Sequence, residues 1–377
     1  MARYSHLLTE KGISSIAKQY GFPHELYIEK FIMDLEMHAH IAQQVDCITR
    51  GGLCMPFHLR TQEARRLSID VDLLTPWTVD EAEQAMNDIN DAVSDVRCSK
   101  HEPKNPHPLD NLISYNVYYH SRLQGDTFIK VDFFCNVDIR LSSELTESGF
   151  SLFGFDTRHD MNLLSKGALL GDKITTMALG TIGLRPNRQT EIAKQVYDLG
   201  LLMRMATKPD LRVALDTFEN MTGFKIRHFD HSPKYTVSDI NHSIAESVSN
   251  LLALRSTVTV TEDQNKRYTD FQGTYLAKVT KYRKTAHISD ILLVSLYNQH
   301  LSRILNGEIT RTRAVDSLHE TLEQTRKIES GGIADTTQTR KSYVQAIPDS
   351  VDFNKKILNG ATLEHLLLMS RLYSEPV

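Results

Sequence analysis

Residues 49–74 read TRGGLCMPFHLRTQEARRLSIDVDLL, and this stretch, from Thr49 to Leu74, decides the fold. A short apolar run from Val45 to Thr49 meets the pair Gly51-Gly52. A helix-like segment through Leu59 follows, and then Leu67-Ser68-Ile69-Asp70-Val71-Asp72-Leu73-Leu74 alternates apolar and polar side chains as a half-buried strand does. Residues i and i+2 of a strand leave the same face. Asp70 and Asp72 are therefore predicted to stand side by side, with Ser68 and Arg66 continuing the same face. Two adjacent carboxylates repel, and a cation between them resolves the conflict. A hard, oxygen-ligated ion, Mg²⁺ or Mn²⁺, suits carboxylates and phosphates together. Glycines at a strand-to-helix turn let backbone approach a phosphate, and the next helix start offers free N–H groups to an anion. Gly51 and Gly52 are placed for that role.

Working outward, residues from Glu10 to Gln44 read as two helices broken at Gly21-Phe22-Pro23. Downstream, Thr78 or Asp80 opens a helix to about Val93. Leu112–His120 and Phe128–Cys135 have strand composition on either side of a turn signal at Gly125-Asp126. Asp132 lies in the second of these runs, where a lone carboxylate among apolar residues is costly. If that strand pairs beside the first, Asp132 joins Asp70 and Asp72 at a metal. Lys130 shares its face and predicts an ion pair with it, while Asp138 reads as surface. After about Gly171 the pattern turns helical: 172–206, 208–221, 237–256, 270–284, 288–305 and 309–329, with a β-branched run from Thr257 to Thr261. Gly223 to His228 reads as an interruption, and Glu329 to Pro348 as a mobile loop or linker. The expected fold is α+β, a mixed sheet with flanking helices over residues 1–165 followed by an all-helical domain over 166–377.

Composition agrees with a globular chain of about two domains: 377 residues, 41% apolar and 24% charged. No apolar run is long enough to cross a bilayer, and the polar start lacks a secretory h-region, so a cytoplasmic protein is expected. The four cysteines, Cys47, Cys54, Cys98 and Cys135, show no C-x-x-C pair and read as reduced thiols. Sixteen histidines fall into no zinc spacing; His38 with His40, and His101 with His107, share no suitable geometry. Neither a P-loop nor a nucleophile elbow is present. Net charge is −7 over residues 1–200 and +3 over residues 201–377. In the basic half, Lys278, Lys281, Arg283 and Lys284 interleave with Tyr275 and Tyr282, a pattern suited to RNA. Arg60 and Arg65 are further cations near the first motif.

The Gly-Gly pair followed by Arg66-Leu67-Ser68-Ile69-Asp70-Val71-Asp72 resembles the signature of the nucleotidyltransferase superfamily, and more narrowly the AbiEii/AbiGii-type toxins, with the MenT-like branch among them. A second block, Gly171-Asp172-Lys173-Ile174-Thr175-Thr176-Met177-Ala178 with Tyr197-Asp198-Leu199 beyond it, resembles the same group. The family's usual Gly-Gly-Thr/Ser is Gly51-Gly52-Leu53 here, and Glu191 to Gln195 departs from its Arg-Lys-Asp string. The resemblance covers about residues 25–205. It implies a nucleotidyltransferase fold and transfer of an NMP from an NTP to a hydroxyl, with pyrophosphate released. The acceptor it implies is tRNA or another RNA, in a toxin–antitoxin or phage-defence setting with an antitoxin protein as partner. Asp70, Asp72 and Asp132 would hold metal and serve catalysis. Gly51, Gly52, Arg66, Ser68 and Lys173 would bind nucleotide, and Lys173 and Asp198 would complete the catalytic set. The rival readings are a non-catalytic nucleotide or RNA sensor, and transfer to a small molecule or protein.

Overall fold

The computed structural model describes residues 3–59, 66–102, 109–185, 188–229, 235–256, 284–347 and 361–373. The chain divides into two compact units. Among the described residues, one unit holds the chain as far as Leu169 together with Phe224–Phe229. The other holds Leu170–Gly223 and the described residues from Tyr235 onward.

The first unit opens with α1 (Glu10–Tyr20) and α2 (Glu25–Ile41). Thr9 caps α1 by accepting from the Gly12 amide, and Gly21 ends it in the left-handed conformation, as the Gly-Phe-Pro break requires. A seven-stranded mixed sheet follows. It comprises β1 (Ile48–Arg50), β2 (Asp70–Leu74), β3 (Val96–Lys100), β4 (Leu112–Ser121), β5 (Gly125–Phe134), β6 (Ser143–Thr146) and β9 (Met161–Leu164), in the order β3-β4-β5-β2-β1-β9-β6. A separate small ribbon pairs β7 (Ser151–Leu152) with β8 (Phe155–Asp156). The helical turn α3 (Met55–His58) lies between β1 and β2, and α4 (Val79–Ala92) between β2 and β3. A capping box between Thr78 and Glu81 fixes the start of α4.

The strand alternation sets the two faces of the sheet. Val71, Leu73, Val117, Tyr119, Ile129, Val131 and Phe133 are buried on one face. Asp70, Asp72, Ser114, Asn116, Tyr118, Phe128, Lys130 and Asp132 stand on the other, half-buried or exposed. Helix α2 packs on β2 and β5, and α4 on β3.

The second unit is helical. It includes α6 (Gln189–Met205), α8 (Val237–Ser256), α9 (Lys284–Leu305), α10 (Arg311–Glu329), α11 (Thr337–Gln345) and α12 (Leu363–Tyr373), with most of α5 (Lys166–Thr175) and α7 (Lys208–Arg227). Helix α9 is its centre, contacted by α6, α8, α10 and α12. Arg204 of α6 ties three of these together through Asp290 of α9, Glu329 of α10 and Glu364 of α12. Gly171 of α5 lies against the Ala214 carbonyl of α7, so closely that a Cβ there would sit 2.3 Å from that oxygen.

Several sequence expectations need correction. Only Asp70–Leu74 joins the ladder; Leu67–Ile69 lies outside it, so Ser68 and Arg66 reach the site from a non-strand segment. The expected helix over 172–206 is two helices, since the chain turns after Thr175 and helix resumes at Gln189. Gly180 in that connection takes positive φ, which ordinary side chains resist. Gly223 does not interrupt α7, which continues to Arg227 with Phe224 and Lys225 buried. The Glu329–Pro348 stretch contains α11, begun by the Thr336 side chain accepting from the Thr339 amide. Thr257–Thr261, Lys278, Lys281, Arg283, Tyr275 and Tyr282 lie outside the described residues, as do Arg60 and Arg65.

Candidate active site

Strand β2 runs parallel to β5 in a register that sets Asp70 opposite Lys130 and Asp72 opposite Asp132. On its other side β2 runs antiparallel to β1, with Arg50 opposite Asp72. Register partners share a face, so Arg50, Asp72, Asp132 and, on β4, Ser114 form one row across four strands. Asp70, Lys130 and Asn116 form the next row. The three carboxylates expected from the sequence therefore occupy one patch of one face.

The patch is electrostatically tense. Burial, then Asp132, then Asp70 push the Asp72 carboxyl up to about 7, against the opposing pull of Arg50 and Lys130. Lys130 donates to Asp132 Oδ2 at 2.7 Å, the ion pair its spacing predicts. Asp132 Oδ1 is buried and has no hydrogen-bond partner among the described residues. Asp138, expected at the surface, is there and pairs with Arg227.

The glycine pair sits directly on these groups. Gly51 has φ of +71°, and a Cβ built on it would fall 2.1 Å from Asp72 Oδ2. A Cβ on Gly52 would fall 2.5 Å from Ser68 Oγ and 3.0 Å from an Arg66 guanidinium nitrogen. Gly51 therefore resists any side chain on both counts, while at Gly52 a Cβ would require Ser68 and Arg66 to shift. Arg66 is buried and donates to the Leu67 carbonyl at 3.1 Å. Gly51, Gly52, Arg66, Ser68, Asp70, Asp72 and Asp132 are thus one group within the first unit.

Lys173 and Asp198 form a group of their own in the second unit. The Lys173 ammonium donates to Asp198 Oδ2 at 2.8 Å and to Gln195 Oε1 at 3.2 Å, and both charged side chains are buried.

Two residues were missed. Arg50 precedes the glycine pair and lies over the Phe134 ring at 4.1 Å, delivering its charge to Asp72. Its position in the quoted stretch was the available signal. Asp34, on α2, is fully buried, and neither carboxyl oxygen has a hydrogen-bond partner among the described residues. Burial holds its carboxyl well above the usual range, Asp70 and Asp72 add to the shift, and Lys30 opposes it. An aspartate inside an apolar helical periodicity was its signal.

Among the described residues, no three His, Cys, Asp or Glu side chains are gathered as a finished metal shell. The donor set still suits Mg²⁺, which is commonly held by one or two carboxylates with substrate phosphates completing its sphere. The fit rests on Asp72 and Asp132 in direct opposition and on the unsatisfied Asp132 oxygen.

With that geometry in place, comparison with known proteins is decisive at the level of family. Residues 40–286 match the family described as nucleotidyl transferase AbiEii toxin, type IV TA system. The chain belongs to the AbiEii family. It is a nucleotidyltransferase toxin by that membership, and the carboxylate row and glycine turn lie within the matched residues. No curated protein matches the sequence. Among solved structures it is similar to an antigenic nucleotidyltransferase-like protein from Paracoccidioides brasiliensis, at 13% identity, with 60% of this chain and 90% of that chain covered and a TM-score of 0.35. No helix among the described residues of this AbiEii member is long and apolar enough to cross a membrane.

Proposed function

We propose that the chain transfers an NMP from an NTP to a hydroxyl of RNA, with tRNA the foremost acceptor, and that pyrophosphate leaves. The observation that carries this reading is the opposition of Asp72 and Asp132 beneath the Gly51-Gly52 turn. In the proposed step the acceptor oxygen bonds to the α-phosphorus as the α–β phosphoanhydride bond breaks. Asp132, through its unpartnered Oδ1, takes the hydroxyl proton. Asp70 and Asp72, with Asp132, would hold Mg²⁺ or Mn²⁺, which when bound supplies neutralisation of the phosphate charge. Gly51 and Gly52 let the triphosphate approach the backbone, while Arg66 and Ser68 flank it. Arg50 limits the repulsion at Asp72. Lys173 is proposed as a triphosphate ligand and Asp198 as its orienting partner, on the family resemblance.

The toxin-family membership supports a cognate antitoxin as partner and a phage-defence or toxin–antitoxin setting. Incubation with each of the four α-labelled NTPs, with total cellular RNA and separately with protein alone, tests the reading. Label is expected in RNA, with stoichiometric pyrophosphate, and none with Asp70→Ala. Label in protein alone moves the acceptor to a protein hydroxyl. Binding of NTP without pyrophosphate release ends the catalytic reading.

A further inference from the structure

The sheet face that bears the carboxylates continues past them. Along β5 it runs Asp132, Lys130, Phe128, and the register places Tyr118 of β4 opposite Phe128 and Arg97 of β3 opposite Tyr118. Phe128 is 41% exposed, unusual for so large an apolar side chain. Its ring centroid lies 5.5 Å from that of Tyr118. The Arg97 guanidinium stands 4.5 Å from the Tyr118 ring centre, and the Lys30 ammonium 5.2 Å from that of Phe128. Arg97, Tyr118 and Phe128 therefore form a row across three strands, and Lys30 of α2 flanks its far end.

Such a row suits a particular chemistry. Aromatic faces stack bases of any identity, and adjacent cations meet the phosphates between them. Four residues of strand at roughly 3.3 Å each put Phe128 about 13 Å from Asp132. That is beyond the base of a nucleotide whose α-phosphorus lies at the carboxylates. It is within a few nucleotides of a strand advancing about 3.4 Å per stacked unit. A protein strand is the poorer occupant of the rings themselves, because β4 and β5, which carry them, are interior to the sheet; strand addition has an edge only at β3, beside Arg97.

We propose that Phe128 and Tyr118, flanked by Lys30 and Arg97, are a stacking platform for the unpaired end of an RNA acceptor, set on the carboxylate face. The inference rests on the nucleotidyl-transfer reading and names the form of its acceptor: single-stranded at the reacting end.

The test is an anisotropy titration of the full chain against a labelled single-stranded oligoribonucleotide of about 12 nucleotides, within the range such grooves occupy. Phe128→Ala and Tyr118→Ala are each expected to weaken binding by roughly 5- to 100-fold. Phe128→Trp should retain binding, and Phe128→Leu, which keeps apolar bulk without a π face, should lose it as Ala does. Arg97→Ala should lower the salt slope by about one phosphate contact. In the transfer assay the RNA KM should rise far more than the NTP KM. Wild-type affinity in Phe128→Leu, or no RNA binding by the wild type, overturns the proposal. So does loss of antitoxin binding with RNA binding intact, which would assign the row to a protein partner. A wild type that binds RNA through these rings yet transfers no nucleotide refutes the catalytic reading and leaves the platform standing.

Discussion

Asp72 and Asp132 are register partners on parallel strands, so two like charges leave the sheet side by side with a lysine and an arginine in attendance. Such a pair is a liability to the fold and an asset to a site that binds cations. Asp72→Asn should melt at or above the wild-type temperature in chelator, because the buried carboxyl that its neighbours repel is gone, whereas Asp132→Asn also gives up the ion pair with Lys130. Mg²⁺ should raise the wild-type melting temperature and leave both variants nearly unmoved. Transfer should fall by about 100-fold or more, the equivalent of several kcal/mol of lost transition-state stabilisation. Differential scanning fluorimetry with and without Mg²⁺, beside a labelled-NTP assay, reads both. A variant that is less stable in chelator yet still active contradicts the reading.

Gly51→Ala offers a test that separates backbone strain from site geometry. Gly51 and Gly149 both have positive φ, but only at Gly51 would a Cβ meet the Asp72 carboxylate; at Gly149 nothing lies within 4 Å. Forcing alanine into the left-handed region costs roughly 1–2 kcal/mol at either place. Gly149→Ala should therefore lose about that much stability in urea and keep its activity. Gly51→Ala should lose more stability, and at least tenfold in transfer rate besides. Equal activity in the two variants would remove Gly51 from the site.

The carboxylate face was legible because strand periodicity is a local code: Asp70 and Asp72 share a face by spacing alone. Asp132 needed the pairing of β2 with β5, which the sequence suggested only conditionally. Strand spacing predicts Arg66 and Ser68 on that face, but their segment lies outside β2 and reaches the site by tertiary contact with Gly52. Asp34 and Arg50 each leave a local signal, an aspartate within an apolar helical periodicity and an arginine beside the glycine pair, but what they act on lies on other elements. A charge that acts across elements does not carry the identity of its partner in its own periodicity. Strands β6 to β9 were missed because each has at most four residues, too few for alternation to register. Gly223 predicts an end to α7, whereas the helix continues through the buried Phe224 and Lys225 to Arg227.

A buried relay predicts how the first unit responds to acid. The Tyr4 hydroxyl lies 3.1 Å from His159 Nδ1, His159 Nε2 lies 2.9 Å from His38 Nδ1, and His38 Nε2 lies 2.7 Å from Thr49 Oγ1 on β1. Burial first, then the neighbouring imidazole, lowers His38 to about 3. Burial first, then Arg3, lowers His159 to about 4. Both are neutral when folded, and the unfolded chain takes up protons below its ordinary histidine value near 6.5. Stability contributed by this pair is therefore fully present above about pH 6.5 and is lost as pH falls toward 4 and then 3. Urea midpoints measured from pH 7.5 to 4.5 should fall, and the fall should be shallower in a His38→Gln, His159→Gln double variant. A slope that the double variant leaves unchanged would place the acid sensitivity in other groups.

The Lys173–Asp198 pair separates a structural role from a nucleotide-binding one. Both charges are buried, with Gln195 the other partner of the ammonium described above. Removing one member of a buried pair strands the other, at a cost of roughly 3–5 kcal/mol, whereas replacing both with apolar groups of similar volume is often neutral. Asp198→Leu should therefore unfold at markedly lower urea, and the Lys173→Met, Asp198→Leu double variant should recover most of the loss. Transfer activity decides the role. If Lys173 serves only the fold, the double variant regains activity along with stability. If it meets the triphosphate, the double variant stays folded with an NTP KM raised tenfold or more, the loss of a charge-assisted contact worth about 1.5–3 kcal/mol.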